Sequence, residues 1–493
     1  MKYLIAAFIL FFSIQINGQV NNQQSDFLVK PYLQIGKSPT PQSLQLLWHT
    51  TVSDDEWLVE YLPASPSLKL QRSKAGQAGK NNTSEWIKAE NQTTLKVAVA
   101  GNDPFKIYNA SFTALVPGIT FNYRVSKNGK IVFEAEAKSL KTPEQSYRIA
   151  VTGDIAAGTK AAGKIANRIY NSNPDLVAIA GDIVYTQGLI SEYKTKFWPV
   201  YNKDIADTTG APLLRSVPFV GVVGNHDADT RDLDRFPGAL AYYHFWDQPL
   251  NGPIGKEGGA FVPVLKASDA NRKAFLDGAG EKYPRMTNFS FDYGNAHWTV
   301  IDSDTYVDWT DSTIRNWVIK DLENAKNATW RFVMFHHPGF NSSRAHFEQQ
   351  QMRLLAPIFE EGNVDIVFAG HVHNYQRSFP LSFTPTGMGT LLVTGTDKRI
   401  QGRVVSGTWV LDKNFNGKKK TKPAGIIYIV TGAGGQALYN PEQTNDKDSW
   451  QKFTYKFESR VNSFTVMDVE GKALTIRQVD INGKEVDRFK IKK

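Results

Sequence analysis

The sequence predicts an α/β (α+β) body built as a layered sandwich, preceded by an all-β module. Three observations carry that reading. From about Asp26 to Pro143, apolar and polar residues alternate over short runs separated by turn signals. After Ser146, apolar runs of strand length alternate with helical stretches. Five of those apolar runs lead directly into polar, metal-capable clusters of Asp, Asn or His, four of them opened by Gly.

Composition narrows the classes open to the chain. It has 493 residues, 41% hydrophobic and 21% charged, which excludes a mainly disordered, collagenous or coiled-coil protein. Aromatics at 12% imply sizeable cores. With no cysteine there are no disulfides, thiolate zinc sites, iron–sulfur clusters or cysteine nucleophiles. Any metal must be held by oxygen or imidazole. The formal charge of +9 is spread over a long chain, and no Lys/Arg-rich face interleaves with aromatics. No nucleic-acid partner is expected.

Residues 1–19 read as a secretory signal peptide: Met1-Lys2, an apolar run from Tyr3 to Ile14 broken only by Ser13, then a polar exit with Gly18. Cleavage is expected near residues 18–19. The run is too short to span a bilayer comfortably, and no cysteine follows it for a lipid anchor. The expected product is a secreted or periplasmic protein with no stable membrane anchor. Asn82-Thr83-Ser84 is a glycosylation triplet that matters only in a eukaryotic secretory path.

The β-module spans residues 26–144. Leu44, Leu46 and Trp48 alternate with polar partners, as do Trp57, Val59 and Tyr61. Phe121, Tyr123 and Val125 repeat the pattern after the Pro117-Gly118 turn, and Asn128-Gly129 predicts a tight hairpin. An inward Trp followed by Leu115-x-Pro117-Gly118-x-x-x-x-Tyr123-x-Val125 resembles a fibronectin type III-like module, with Thr142-Pro143 as its exit.

The body spans residues 146–493. Strands are predicted at Ile149–Val151, Leu176–Ala180, Phe219–Val223, Phe332–Phe335 and Val364–Phe368, with a helix over Ala161–Tyr170. Phe236–Arg285, rich in Gly and Pro with weak periodicity, reads as an insertion. Phe289–Trp298 reads as two strands around a Gly-Asn turn, and Gly425–Val430 as a late strand. In open α/β sheets, sites form outside the carboxyl ends of strands. Clusters about 220 residues apart can therefore meet at one edge.

Eight of the nine histidines fall in the interval from His226 to His373. At this composition Gly-His-x-His arises by chance about 0.01 times per chain, so Gly370-His371-Val372-His373 is informative. Carboxylate and amide oxygens with imidazole nitrogens suit iron, manganese or zinc. A glycine before Asp154, Asp182, Asn225 and His371 lets the chain turn sharply at the strand end.

Gly153-Asp154, Gly181-Asp182-x-x-Tyr185, Gly224-Asn225-His226-Asp227, Val333-x-x-His336 and Gly370-His371-x-His373, in that order, resemble the calcineurin-like metallophosphoesterases. Tyr185 and the run through Asn374-Tyr375-Gln376-Arg377 resemble the purple acid phosphatase branch, as does the leading β-module. The resemblance implies a metallophosphoesterase sandwich that takes a small phosphate ester and two metals. It assigns Asp154, Tyr185 and His373 to an Fe(III), and Asn225, His336 and His371 to a divalent zinc, manganese or iron. Asp182 bridges them. It implies hydrolysis of phosphomonoesters by attack of a metal-bound hydroxide on phosphorus, with a phosphodiesterase on the same scaffold, or a catalytically silent binding protein, as alternatives. His226 and His346 are expected on the substrate side, with Asp227 steadying His226. His337 is expected to be structural, and His49, His244 and His297 to pack. The pattern departs from the family at Ala156, where glycine is usual, and at Ala345, where many relatives carry a second histidine.

Overall fold

The computed structural model describes residues 25–63, 85–394 and 399–493. The signal segment and the Asn82 triplet lie outside them. Two large sheets organise the molecule. A ten-stranded sheet runs, edge to edge, through Glu485–Lys492, Ala473–Asp480, Ser463–Glu470, Tyr147–Thr152, Leu176–Ile179, Phe219–Gly221, Val29–Gln34, Leu44–Thr51, Phe105–Phe112 and Glu90–Val97. A seven-stranded sheet runs through Phe289–Tyr293, Ala296–Val300, Trp330–Met334, Ile366–Ala369, Ile427–Thr431, Tyr375–Ser378 and Thr454–Glu458. The strands at the middle of each sheet are parallel.

The strand period of two explains the layers. Ile149, Val151, Ala178, Phe332, Met334 and Phe368 point inward and share one core with Trp298. Their neighbours point outward. Ala150, Val177 and Ile179 meet the helix Lys160–Asn171 through Ile165, Ala166 and Ile169. Val333 and Val367 meet the helix Ser312–Asn324 through Ile314, Val318 and Leu322. Both helices carry apolar residues at i, i+3 or i+4 spacing and start on side-chain caps, Thr159 and Asp311. The result is helix, sheet, sheet, helix.

The N-terminal strands form a sandwich of their own. The sheet of Ile87–Lys88, Trp57–Leu62, Thr120–Lys127 and Lys130–Lys138 lies against the first strands of the chain. Trp48 stacks on Tyr108 at 5.1 Å between centroids, with Trp57 beside both. Val29–Gln34 also pairs in parallel with Phe219–Gly221, so one sheet of the sandwich continues the sheet of the body. The weakly patterned Phe236–Arg285 stretch contains an unforeseen helix, Asp269–Ala279. It buries only Phe275, Gly278 and Ala279, too narrow a face to mark the sequence.

Candidate metal centre

The five clusters meet at one edge of the two sheets. Asp182 lies in two groups whose ligand atoms all fall within 4.8 Å of one another: Asp154, Asp182 and His373, and Asp182, His336 and His371. All are buried. The backbone turn at the strand ends is made by the side-chain bearers themselves, since Asp154, Asp182 and His371 have φ of 61°, 49° and 64°. Such left-handed conformations cost energy and gather at functional sites. The preceding glycines chiefly make room. A Cβ on Gly224 would fall on the Asp182 carboxylate, and one on Gly370 on the Ala180 carbonyl and Asp154.

The imidazoles are oriented from behind. His336 Nδ1 donates to the Ala180 carbonyl (2.9 Å) and His373 Nδ1 to the Ala437 carbonyl (2.8 Å). Each leaves Nε2 facing the carboxylates, 3.2 Å from Asp182 Oδ1 and 3.4 Å from Asp154 Oδ1. His371 is reversed, with Nε2 donating to Gln349 Oε1 and its backbone N–H to Asp154 Oδ2. Hydrogen bonds of this kind fix which nitrogen is free to bind an ion. Asn225 Oδ1 lies 3.2 Å from His336 Nε2. The Tyr185 hydroxyl lies 2.9 Å from Asp154 Oδ1 and 3.3 Å from His373 Nε2.

The electrostatics fit a cation. Burial opposes a charge on His336, yet Asp182 outweighs it and pushes the imidazole up to about 10. Burial would raise Asp182, yet the His336 charge and hydrogen bond hold its carboxyl below the usual range. Burial, then Asp154 and Asp182, push the Tyr185 phenol well up. Buried carboxylates facing free imidazole nitrogens and a phenol are a donor set for iron, zinc or manganese.

His226 sits at the opening, its side chain 32% exposed. Its Nδ1 donates to the Thr186 carbonyl at 2.7 Å, and Nε2 lies 3.9 Å from Asp182 Oδ2. His346 is brought to the same centre, its ring 4.1 Å from that of His371. Asp227 corrects the expectation. It does not reach the His226 side chain, because the next residue of this turn points the other way. Its carboxylate accepts from Ile183 N (3.0 Å) and Gly224 N (2.9 Å), bracing the two ligand-bearing loops. Burial, then Asp182, push it up to about 8.

His337 is buried, which pushes its imidazole well below the usual range; Nδ1 lies 3.1 Å from Ser303 Oγ and the ring 4.2 Å from His371. His49 packs among Phe105, Trp198 and Phe245. His244 packs on Phe275, and burial pushes it down to about 4. His297 does more than pack: its nitrogens meet Asp292 (2.7 Å) and Asp321 (3.1 Å). Ala156 makes an isolated parallel bridge to Val184.

Several contributors left no mark in the sequence. Tyr439 stacks on His373 at 4.1 Å and 11°. Gln349 holds His371. Asp304 is buried beside His337, 3.8 Å away, with no hydrogen-bond partner on either carboxylate oxygen.

Comparison with known proteins follows the same lines. The calcineurin-like phosphoesterase family profile matches residues 147–375. Purple acid phosphatase 1 of Ipomoea batatas is 27% identical over 321 residues, 61% of this chain and 59% of the relative. A probable inactive purple acid phosphatase 27 of Arabidopsis thaliana is 25% identical over 313 residues, 57% of this chain and 46% of the relative. The chain thus spans about half the length of the curated relatives it matches. A purple acid phosphatase from yellow lupin (Lupinus luteus) seeds shares the fold, with a TM-score of 0.61 at 18% identity, over 94% of this chain and 74% of that one. Residues 147–375 thus match the calcineurin-like phosphoesterase family, and the chain, with that fold and with buried Asp/His groups at its strand ends, is similar to purple acid phosphatases.

Proposed function

We propose that this is an exported phosphatase that hydrolyses small phosphomonoesters at a binuclear centre. The observation that carries the reading is the pair of buried ligand groups sharing Asp182, with His226 and His346 beside them. Asp154, Tyr185 and His373 would hold one ion, a ferric one by the hardness of phenolate and carboxylate oxygen. Asn225, His336 and His371 would hold a divalent zinc, manganese or iron, with Asp182 serving both. Bound there, the ions supply Lewis acidity to the phosphoryl group and acidify water.

The chain's own residues do the rest. The Ala180 and Ala437 carbonyls and Gln349 keep the imidazoles aimed. His226, with Nδ1–H committed to Thr186, would act as an imidazolium: Nε2–H faces a phosphoryl oxygen and passes its proton to the departing alkoxide, which leaves the neutral Nδ1–H ring. His346 lines the side next to His371 and contacts the ester. Export rests on the Tyr3–Ile14 run. Among the described residues no helix is long and apolar enough to cross a membrane.

The test compares turnover of p-nitrophenyl phosphate with that of its bis-ester by protein loaded with iron and zinc. Faster hydrolysis of the monoester supports the reading. Preference for the diester gives the site to the phosphodiesterase alternative. Metal-loaded protein inert to both is a silent binding protein.

A further inference from the structure

We propose that Glu192 and Lys196 are positioning residues for His226, acting through the Thr186 carbonyl; the inference rests on the phosphatase reading above. Between Val184 and the helical run that opens at Ile190, the chain carries Tyr185 and Thr186 through a segment without regular structure. Left alone, such a segment leaves its backbone groups to water and its position loose. Here Glu192 turns back under it. Its carboxylate accepts the N–H groups of Thr186, Gln187 (3.0 Å) and Leu189 (3.0 Å). Lys196, one helical turn on, lies 3.4 Å from Glu192 Oε1 and donates to the Tyr185 carbonyl.

Four backbone groups in five residues are thus fixed from one side by an ion pair. The Glu192 side chain is only 10% exposed. Gly188, at φ 65°, lets the far end of the segment close onto the Asp227 backbone, where a Cβ would come within 2.7 Å. What remains for the Thr186 carbonyl is the face toward His226, and it accepts from Nδ1 at 2.7 Å. That bond decides which His226 nitrogen carries the proton and where Nε2 points. Charge-assisted hydrogen bonds are roughly twice as strong as neutral ones, so the clamp depends on the carboxylate charge. An amide at position 192 has one acceptor oxygen for three N–H groups, and its NH₂ would face a donor.

Glu192→Gln and Lys196→Met are tested in the full-length chain, by kinetics with iron and zinc loaded and by ¹⁵N spectra of the histidine rings with zinc alone. Both variants should keep the wild-type metal content. kcat should fall about 10-fold for phenyl phosphate and much less for p-nitrophenyl phosphate, whose leaving group needs little proton donation. In a His226→Ala background Glu192→Gln should change kcat less than about 2-fold, because the residue it positions is gone. The His226 ring should be Nδ1-protonated in the wild type and a mixture of tautomers in the variants. Losses that multiply with His226→Ala, equal losses on both esters, or an unchanged tautomer would overturn the proposal. If Glu192→Gln does not fold, Lys196→Met decides. A wild type inert to both esters refutes the phosphatase reading, while the ring spectra still decide the positioning.

Discussion

His226 reaches the centre without belonging to either ligand group, and its geometry gives it a separable role. Nδ1 is spent on Thr186, and Nε2 lies 3.9 Å from Asp182 in a part-exposed position. His226→Ala should therefore leave both metals and the visible spectrum in place while lowering kcat by roughly 10²–10⁴. The loss should be larger for alkyl phosphates than for p-nitrophenyl phosphate. Equal losses would confine His226 to phosphate binding, and loss of metal would make it a ligand. At this scale the sequence showed the groups that must sit at strand ends, because an apolar run followed by Gly and a donor is a pattern. Gln349, Tyr439 and the Ala180 and Ala437 carbonyls follow no pattern, since a backbone carbonyl looks the same in every sequence. Asp227 was misread for a related reason: adjacency in sequence does not give side-chain direction on a tight turn.

Between elements, the clasp of His297 shows how the outer helix is fastened to the sheet. His297 belongs to the strand Ala296–Val300, and Asp321 to the helix Ser312–Asn324. Asp321 also accepts from Ser290 Oγ (2.6 Å) and Thr299 Oγ1 (2.7 Å). Burial works against a charge on His297, but its bonds to Asp292 and Asp321 outweigh burial and push it up to about 9. That lies above the value of about 6.5 in an unfolded chain. Its contribution is therefore full below about pH 6.5 and is lost as pH rises through about 9. Denaturant titration of wild type and His297→Gln should show a gap of about 1–3 kcal/mol at pH 6, allowing for the exposed Asp292. The gap should close by pH 9.5, and one that stays constant would contradict the ion-pair account. The strands leading to the site and the helix Lys160–Asn171 were legible from period, whereas Ser312–Asn324 was not singled out, nor was Asp269–Ala279, where Gly278 and Gly280 interrupt the face.

At the scale of the molecule, the shared sheet sets how far the N-terminal module is independent. Alternation and turns reveal its strands, but the pairing of Val29–Gln34 with Phe219–Gly221 joins Gln34 to Phe219, 185 positions on, and no local pattern encodes it. Tyr32 donates to the Phe245 carbonyl and Tyr123 to the Arg215 carbonyl, both at 2.9 Å, which ties both faces of the module to the body. A chain starting at Glu144 should lose cooperative folding, because Phe219–Gly221 becomes an open edge and the aromatic cluster around Trp198 and Phe245 is uncovered. A truncated chain that is monomeric and melts sharply would contradict this.

The central claim is that two ions share Asp182 and that hydrolysis depends on both. It is tested most directly by metal-to-protein ratio, measured with p-nitrophenyl phosphate turnover, on wild type and Asp182→Asn. The predicted result is two ions per chain in the wild type, and in the variant fewer ions with turnover abolished. A variant that retained two ions and near-normal kcat would contradict it.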